Sequence, residues 1–164
     1  MAEYLRIGRL YFVLLAIFAV ARFAQGAMGV PYAKAHHVFS IFILTVLASV
    51  FHAAFCRRWR GFGIGRAMAL GALFGFVAEV VIFLATVISY ALGLETFFNH
   101  MTALNQTEPV GLGRAVVLRA PGLVIFPIIN AIVAAIGWAL GGLLPDTASA
   151  RVVPDLPASP RVVL

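Results

Sequence analysis

Four long apolar runs dominate this sequence and constrain its fold more than any other feature. They cover residues 10–29, 37–55, 67–93 and 120–144. A helix needs about 20 mostly apolar residues to cross the hydrocarbon core of a bilayer. We therefore predict an all-α integral membrane protein in which residues 1–145 form a four-transmembrane-helix bundle. The Pro-, Ser- and Ala-rich residues 146–164 are predicted to form a flexible cytoplasmic tail.

The composition excludes most water-soluble classes of protein. Apolar residue types make up 63% of the chain and charged types 11%, against about 45–50% and about 25% in soluble domains. A chain of 164 residues cannot bury that much apolar surface in water. The 12 Lys and Arg outnumber the 6 Asp and Glu, but most of these cations lie just outside the apolar runs. That position indicates a membrane protein rather than a nucleic-acid-binding protein.

The distribution of the cations predicts the orientation of the bundle. With four spans, both termini and the connection between the second and third runs share one side. That side collects eight cations against four on or near the other, so the positive-inside rule places both termini in the cytoplasm. Eleven of the cations are arginine, which is typical of a GC-rich bacterial genome, and we expect a bacterial inner (plasma) membrane. The cytoplasmic set is Arg6, Arg9, Arg57, Arg58, Arg60, Arg66, Arg151 and Arg161; the outer set is Arg22, Lys34, Arg114 and Arg119.

The connection over residues 94–118 is too polar to span a membrane. Its apolar side chains nevertheless recur at helical spacing, which predicts a short amphipathic helix on the outer membrane surface. The spaced residues are Leu94, Phe97, Phe98, Met101 and Leu104.

Four polar residues are predicted to share a layer near the bilayer centre. At a rise of 1.5 Å per residue, Arg22, Thr45, Glu79 and Asn130 lie about 16–20 Å into their helices. A lone charge at that depth costs at least about 2.5–3.5 kcal/mol. The simplest hypothesis is an Arg22–Glu79 ion pair, with Thr45 and Asn130 satisfying the remaining hydrogen bonds. If Arg22 instead extends outward, burial would leave Glu79 protonated.

This layer has three interpretations. It is a structural lock that fixes how the helices pack, a proton or ion relay or substrate-binding charge, or a place where Glu79 meets a partner subunit. Small and polar side chains also form stripes that we expect to face inward. The glycines of these stripes on the third and fourth helices are Gly71, Gly75, Gly93, Gly137 and Gly141. A secondary polar face comprises Gln25, Ser49, His52 and Cys56.

Histidines and carboxylates gather in the outer segments, where they could hold Zn²⁺ or another divalent metal. No spacing among them matches a known ligand motif. The residues of this hypothetical outer metal site are His36, His37, Glu95, His100 and Glu108.

Haem and pigment are further alternatives. Haem b between helices usually needs a histidine from each of two facing helices, but His37 and His52 lie on the same predicted helix. A small residue one turn before a histidine, as in Ala48 and His52, also occurs where helices bind chlorophyll, although such a step arises easily by chance. No cofactor is therefore predicted, and haem b or a divalent metal stays an alternative.

The sequence contains no GxSxG, HExxH, Walker or GxGxxG motif. Our first hypothesis is a non-catalytic accessory, assembly or interaction subunit of a membrane complex or homo-oligomer. The alternative is a small transporter or proton-coupled carrier built on Arg22, Glu79 and Asn130. A third hypothesis is a haem- or pigment-binding electron-transfer subunit that uses the histidines. The expected partners are the lipid bilayer and a membrane protein or second copy, without nucleic acid.

Overall fold

The computed structural model describes residues 2–145, which form helices joined by short connections. Residues 2–145 contain no β-strand. The predicted tail over 146–164 lies outside the described residues. The α-helices are α1 Ala2–Ile7, α2 Arg9–Ala27, α3 Tyr32–Ala35, α4 Ile41–Arg60, α5 Ile64–Ala91, α6 Leu112–Arg119 and α7 Gly122–Gly141, with a 3₁₀ turn at Met101–Leu104.

Four segments are long and apolar enough to cross a membrane, which confirms the predicted number of long helices. They are Arg9–Ala27, Ile41–Arg60, Ile64–Ala91 and Leu112–Gly141. The fourth begins at Leu112, eight residues before the predicted start at 120, because α6 leads directly into α7. Pro121 has no N–H and so interrupts the hydrogen-bond ladder. Ala120 (φ −51°, ψ −42°) and Pro121 (φ −59°, ψ −30°) nevertheless keep helical dihedrals.

Residues 94–104 do not form the predicted amphipathic helix on the surface. Gly93, at φ 64°, ends α5 and turns the chain back. The side chain of Asn99 then accepts from the Thr96 backbone N–H at 2.7 Å, a local bond that competes with helix formation. Phe97 and Phe98 are only 2% exposed, so their spacing reflects inward packing at a turn rather than one face of a helix.

Helices α4, α5 and α7 make the most extensive contacts. Gly71 and Gly75 of α5 lie against the α7 backbone, at Asn130 and at Phe126. Gly137 of α7 lies in the same way on the α4 backbone. These glycines therefore lie at helix contacts, where the missing side chain lets two backbones approach closely. The prediction was wrong for Gly93, which follows the end of α5 at φ 64° and has open space around it.

Helix α2 joins this group mainly through Tyr11 and Leu15, which are 1% and 2% exposed. The Tyr11 ring stacks on Phe74 of α5, with 4.2 Å between the ring centroids. The opposite face of α2 points away from the bundle. Its large apolar side chains are 52–70% exposed: Leu10, Val13, Ile17 and Val20.

The connections divide the molecule into two ends. We call residues 28–40 and 92–121 the cap; they join α2 to α4 and α5 to α7. Within the cap, the Tyr32 ring stacks on His100 at 4.5 Å and meets Phe97 edge-on at 5.3 Å. The opposite end comprises α1, the turn between α4 and α5, and residues 142–145.

Candidate functional site

Two of the predicted layer residues take part in hydrogen bonds inside the bundle. The Thr45 hydroxyl lies 3.1 Å from the Tyr11 hydroxyl, which also donates to the Phe74 carbonyl at 3.0 Å. Thr45 itself donates to the Ile41 carbonyl at 2.7 Å. These bonds connect α2, α4 and α5. Sequence reasoning missed Tyr11, and its only signal was a hydroxyl-bearing residue inside an apolar run.

Asn130 of α7 bonds to Ser49 of α4. The Ser49 hydroxyl donates to the Asn130 amide oxygen at 3.0 Å, and the Asn130 amide N–H donates to the Phe126 carbonyl at 3.0 Å. Asn130 is fully buried and Ser49 is 1% exposed. The structure therefore brings together one residue of the predicted layer and one of the predicted secondary face.

Arg22 extends toward the cap rather than toward Glu79. Its guanidinium donates to the carbonyls of His36 at 2.9 Å and Val38 at 3.4 Å, and it lies 5.3 Å from the Phe97 ring centroid. Within residues 2–145 the predicted Arg22–Glu79 ion pair does not form. The long arginine side chain reaches the polar backbone of the cap, which is the outward alternative considered for it.

Arg119 is the cation whose charge acts on Glu79, although no hydrogen bond or ion pair joins these two described residues. Glu79 is 7% exposed, and its carboxyl group lies over Gly122 at the junction of α6 and α7, where a larger residue would collide with it. Sequence reasoning placed Arg119 at the outer boundary but did not assign it to the polar layer. The sequence did contain a signal for such a role, because Arg119 immediately precedes the fourth apolar run.

Arg119 also anchors the loop that follows α5. It donates to the Phe98 carbonyl at 2.8 Å, and the Thr86 hydroxyl donates to the same carbonyl at 3.2 Å. The Nε atom of Arg119 is buried and has no hydrogen-bond partner among the described residues. This nitrogen is a donor that the described part of the chain does not satisfy.

A cavity of about 140 Å³ lies between Arg22 and Arg119. Arg22 lies on α2 and Arg119 on α6, so the cavity lies between two helices. Polar groups thus converge on a small space at the base of the cap. The remaining residues that line this two-arginine cavity are Tyr32, Ser40, Ile41, Phe42, Ile82, Phe97, Phe98 and Ala103.

A larger cavity of about 360 Å³ lies on the other side of the 92–110 segment. Its wall includes Ser89, which lies 2.7 Å from the Thr96 hydroxyl, and Tyr90, which donates to the Val110 carbonyl at 2.7 Å. Glu95 and His100 line it as well.

The residues of the hypothetical outer metal site lie in the cap but do not converge. The His36 and His37 rings are 3.7 Å apart, and Tyr32 stacks between His36 and His100. No group of three or more His, Cys, Asp or Glu side chains able to hold a metal ion occurs in the part of the chain that the structure describes. Glu108 is exposed.

The remaining residues of the secondary polar face form no hydrogen bond to one another among the described residues. The His52 Nδ1 lies 2.8 Å from the Ala48 carbonyl, and the ring also interacts with the backbone of Ile7. Because a carbonyl only accepts, Nδ1 carries the proton. Cys56 is fully buried. The side-chain oxygen of Gln25 is buried without a partner among the described residues.

The fold and these contacts define a class of protein: residues 2–145 are all-helical, with four helices that are long and apolar enough to cross a membrane and a polar cap at one end. Compared with known proteins, the chain matches no family model, no curated protein and no solved structure.

Proposed function

We infer that the protein is an integral inner-membrane protein of a bacterium, with the cap on the outer side and both termini in the cytoplasm. The four long apolar helices support insertion. The orientation is supported by the arginines at the end opposite the cap, which the positive-inside rule assigns to the cytoplasm. They are Arg6, Arg9, Arg57, Arg58, Arg60 and Arg66.

The protein is a non-catalytic accessory or assembly subunit that contacts a membrane partner or a second copy of itself through the cap. One observation carries this proposal: two pairs of buried polar side chains bond to each other across helices. Ser49 is bonded to Asn130, and Tyr11 to Thr45, so these groups are engaged in holding helices together. Both cavities and the unsatisfied Arg119 nitrogen lie at the cap.

Photo-crosslinking in native membranes tests this proposal. A photoreactive phenylalanine analogue replaces Leu94, which is 37% exposed and lines the larger cavity. The matched control places the same analogue at Leu47, which is 63% exposed on the outward face of α4. We expect a discrete protein adduct from position 94 and only lipid adducts from position 47.

The mass of the adduct identifies the partner. An increment of 17.6 kDa, the mass of the chain, indicates a second copy, and any other increment indicates a different subunit. Identical lipid adducts at both positions would overturn the proposal.

A proton-coupled carrier is the second candidate, and one relationship favours it. Glu79 interacts electrostatically with Arg119, which lines a cavity. An ionisable residue within a membrane-spanning helix is a functional candidate by default, and proton relays use such carboxyl groups. The test uses proteoliposomes with an internal pH-sensitive dye and an external acid pulse. Acidification that is faster than in empty liposomes, and that Glu79→Gln abolishes, supports the carrier; acidification equal to that of empty liposomes excludes it.

A further inference from the structure

We propose that the two-arginine cavity between Arg22 and Arg119 is a binding site for a phosphate group. This site stands on the geometry of the cavity and does not depend on the accessory function proposed above. Two guanidinium groups from different helices face one space of about 140 Å³. Tyr32 and Ser40 add hydroxyl groups to the same lining.

Both arginines keep unused donors toward the cavity. The Nη1 group of Arg22 donates to the carbonyls of His36 and Val38. The Nη2 group of Arg119 donates to the Phe98 carbonyl, and its buried Nε has no hydrogen-bond partner among the described residues. A guanidinium has five N–H groups in a fixed fork that suits phosphate and carboxylate oxygens. Each side chain therefore has donors left after it has anchored the cap.

The charge balance favours an anion. The residues that line the cavity include two arginines and no Asp or Glu. The two cations repel each other across this space. An anion between them relieves this repulsion, and charge-assisted hydrogen bonds are about twice as strong as neutral ones.

The number of donors favours phosphate within the class of anions. The cavity of about 140 Å³ has room for a group larger than one water, which needs about 10–15 Å³ of such space. Four donor-bearing side chains converge here, and a phosphate offers more oxygens to them than the two of a carboxylate. Phe42, which also lines the cavity, is 53% exposed. The part of the ligand that extends beyond the phosphate group would therefore lie against an apolar side chain.

Such a phosphate has two sources, a lipid headgroup or a soluble phosphate ester. Binding to the purified protein in neutral detergent distinguishes them. The three probes are short-chain phosphatidylglycerol, short-chain phosphatidylcholine as the zwitterionic control, and inorganic phosphate. If the source is a lipid, phosphatidylglycerol binds and inorganic phosphate does not; if it is a soluble ester, inorganic phosphate binds as well. Absence of binding by both would overturn the proposal.

Variants connect the binding to the cavity. We expect Arg22→Gln and Arg119→Gln each to raise Kd at least tenfold. Arg114→Gln is the matched control, because Arg114 is exposed in the same cap and bonds to Gln106 away from the cavity. Its Kd should stay within twofold of the original. An equal loss in all three variants would show general surface attraction and refute the site.

A hydroxyl deletion keeps the test valid if an arginine variant fails to fold. Tyr32→Phe retains the ring that stacks on His100 but removes the hydroxyl. We expect a Kd that is several-fold higher with an unchanged melting temperature. An unchanged Kd in this variant, together with unfolded arginine variants, would mean that the arginines serve the fold alone.

Discussion

The Ser49 hydroxyl donates to the Asn130 amide oxygen at 3.0 Å, and this bond fixes α4 against α7 at a depth where neither side chain is accessible. The Asn130 amide group then returns a bond to its own helix at Phe126. Gly75 of α5 leaves the space in which that amide group lies. One polar contact therefore depends on all three of the tightly packed helices.

Replacing either partner of this bond should weaken the bundle. We expect Asn130→Ala and Ser49→Ala each to lower the free energy of unfolding by about 1–3 kcal/mol, because the remaining partner is buried without a bond. The coupling energy in a double-mutant cycle should be about 0.6–1.7 kcal/mol, as for other interhelical hydrogen bonds in membranes. Denaturation in mixed micelles measures both quantities. Thr102→Ala, an exposed cap threonine, is the control and should change stability by less than about 0.5 kcal/mol.

Gly71 tests the close contact between α5 and α7. A methyl group at this position would collide with the Asn130 carbonyl and the Ala134 side chain. Gly71→Ala should therefore cost about 1–3 kcal/mol of stability. Gly65→Ala lies on the same helix with open space around it, so better helix propensity should make that variant neutral or up to about 1 kcal/mol more stable. Equal effects at the two positions would contradict the contact.

The number of long helices and the packing of their glycine faces were predictable because both follow from local patterns. Apolar run length predicts a spanning helix, and small residues one turn apart mark a close helix contact. The course of residues 94–104 was not predictable in this way. Phe97 and Phe98 belong to a set of apolar residues at helical spacing. The positive φ of Gly93 and the hydrogen bonds of the Asn99 side chain to the backbone nevertheless hold this segment in turns.

The proposed orientation predicts which residues an impermeant thiol reagent can reach. In a Cys56→Ala background, Thr102→Cys should react with a membrane-impermeant maleimide on intact cells, because Thr102 is exposed in the cap. Arg60→Cys, at the exposed end of α4, should react only after the membrane is permeabilised. The opposite pattern would place the cap in the cytoplasm.

Arg57 should contribute to stability through its shape as well as its charge. It donates to the Trp138 and Ala139 carbonyls at the end of α7, and it lies 3.9 Å from the Trp138 ring centroid. A cation there also interacts favourably with the helix dipole. Arg57→Lys keeps the charge but loses the planar guanidinium group that bonds to two carbonyls and stacks on the ring. We expect it to lower the free energy of unfolding by about 1–2 kcal/mol. Arg60→Lys, at an exposed position on the same turn, should leave the unfolding free energy within about 0.5 kcal/mol.

The pairing within the predicted polar layer could not be read from the sequence. Counting residues along each helix places Glu79 and Asn130 well inside α5 and α7, and Arg22 five residues before the end of α2. Position along a helix, however, says nothing of the direction in which a side chain faces around it. An arginine side chain is also long enough to leave the layer in which its Cα lies. Arg22 does so and reaches the His36 carbonyl. Arg119, placed outside the layer by its sequence position, is the cation that acts on Glu79.

A pair of double-mutant cycles decides between the two cations as partners of Glu79. Glu79→Gln combined with Arg119→Gln should show a coupling energy of about 0.5–3 kcal/mol, since the charges interact. Bonds that Arg119 makes elsewhere, such as the one to the Phe98 carbonyl, cancel in such a cycle. Glu79→Gln combined with Arg22→Gln should be additive within about 0.3–0.5 kcal/mol, because Arg22 is bonded to the cap instead. If Glu79 instead couples to Arg22 and is additive with Arg119, the Arg22–Glu79 ion pair predicted from helix depth would be correct.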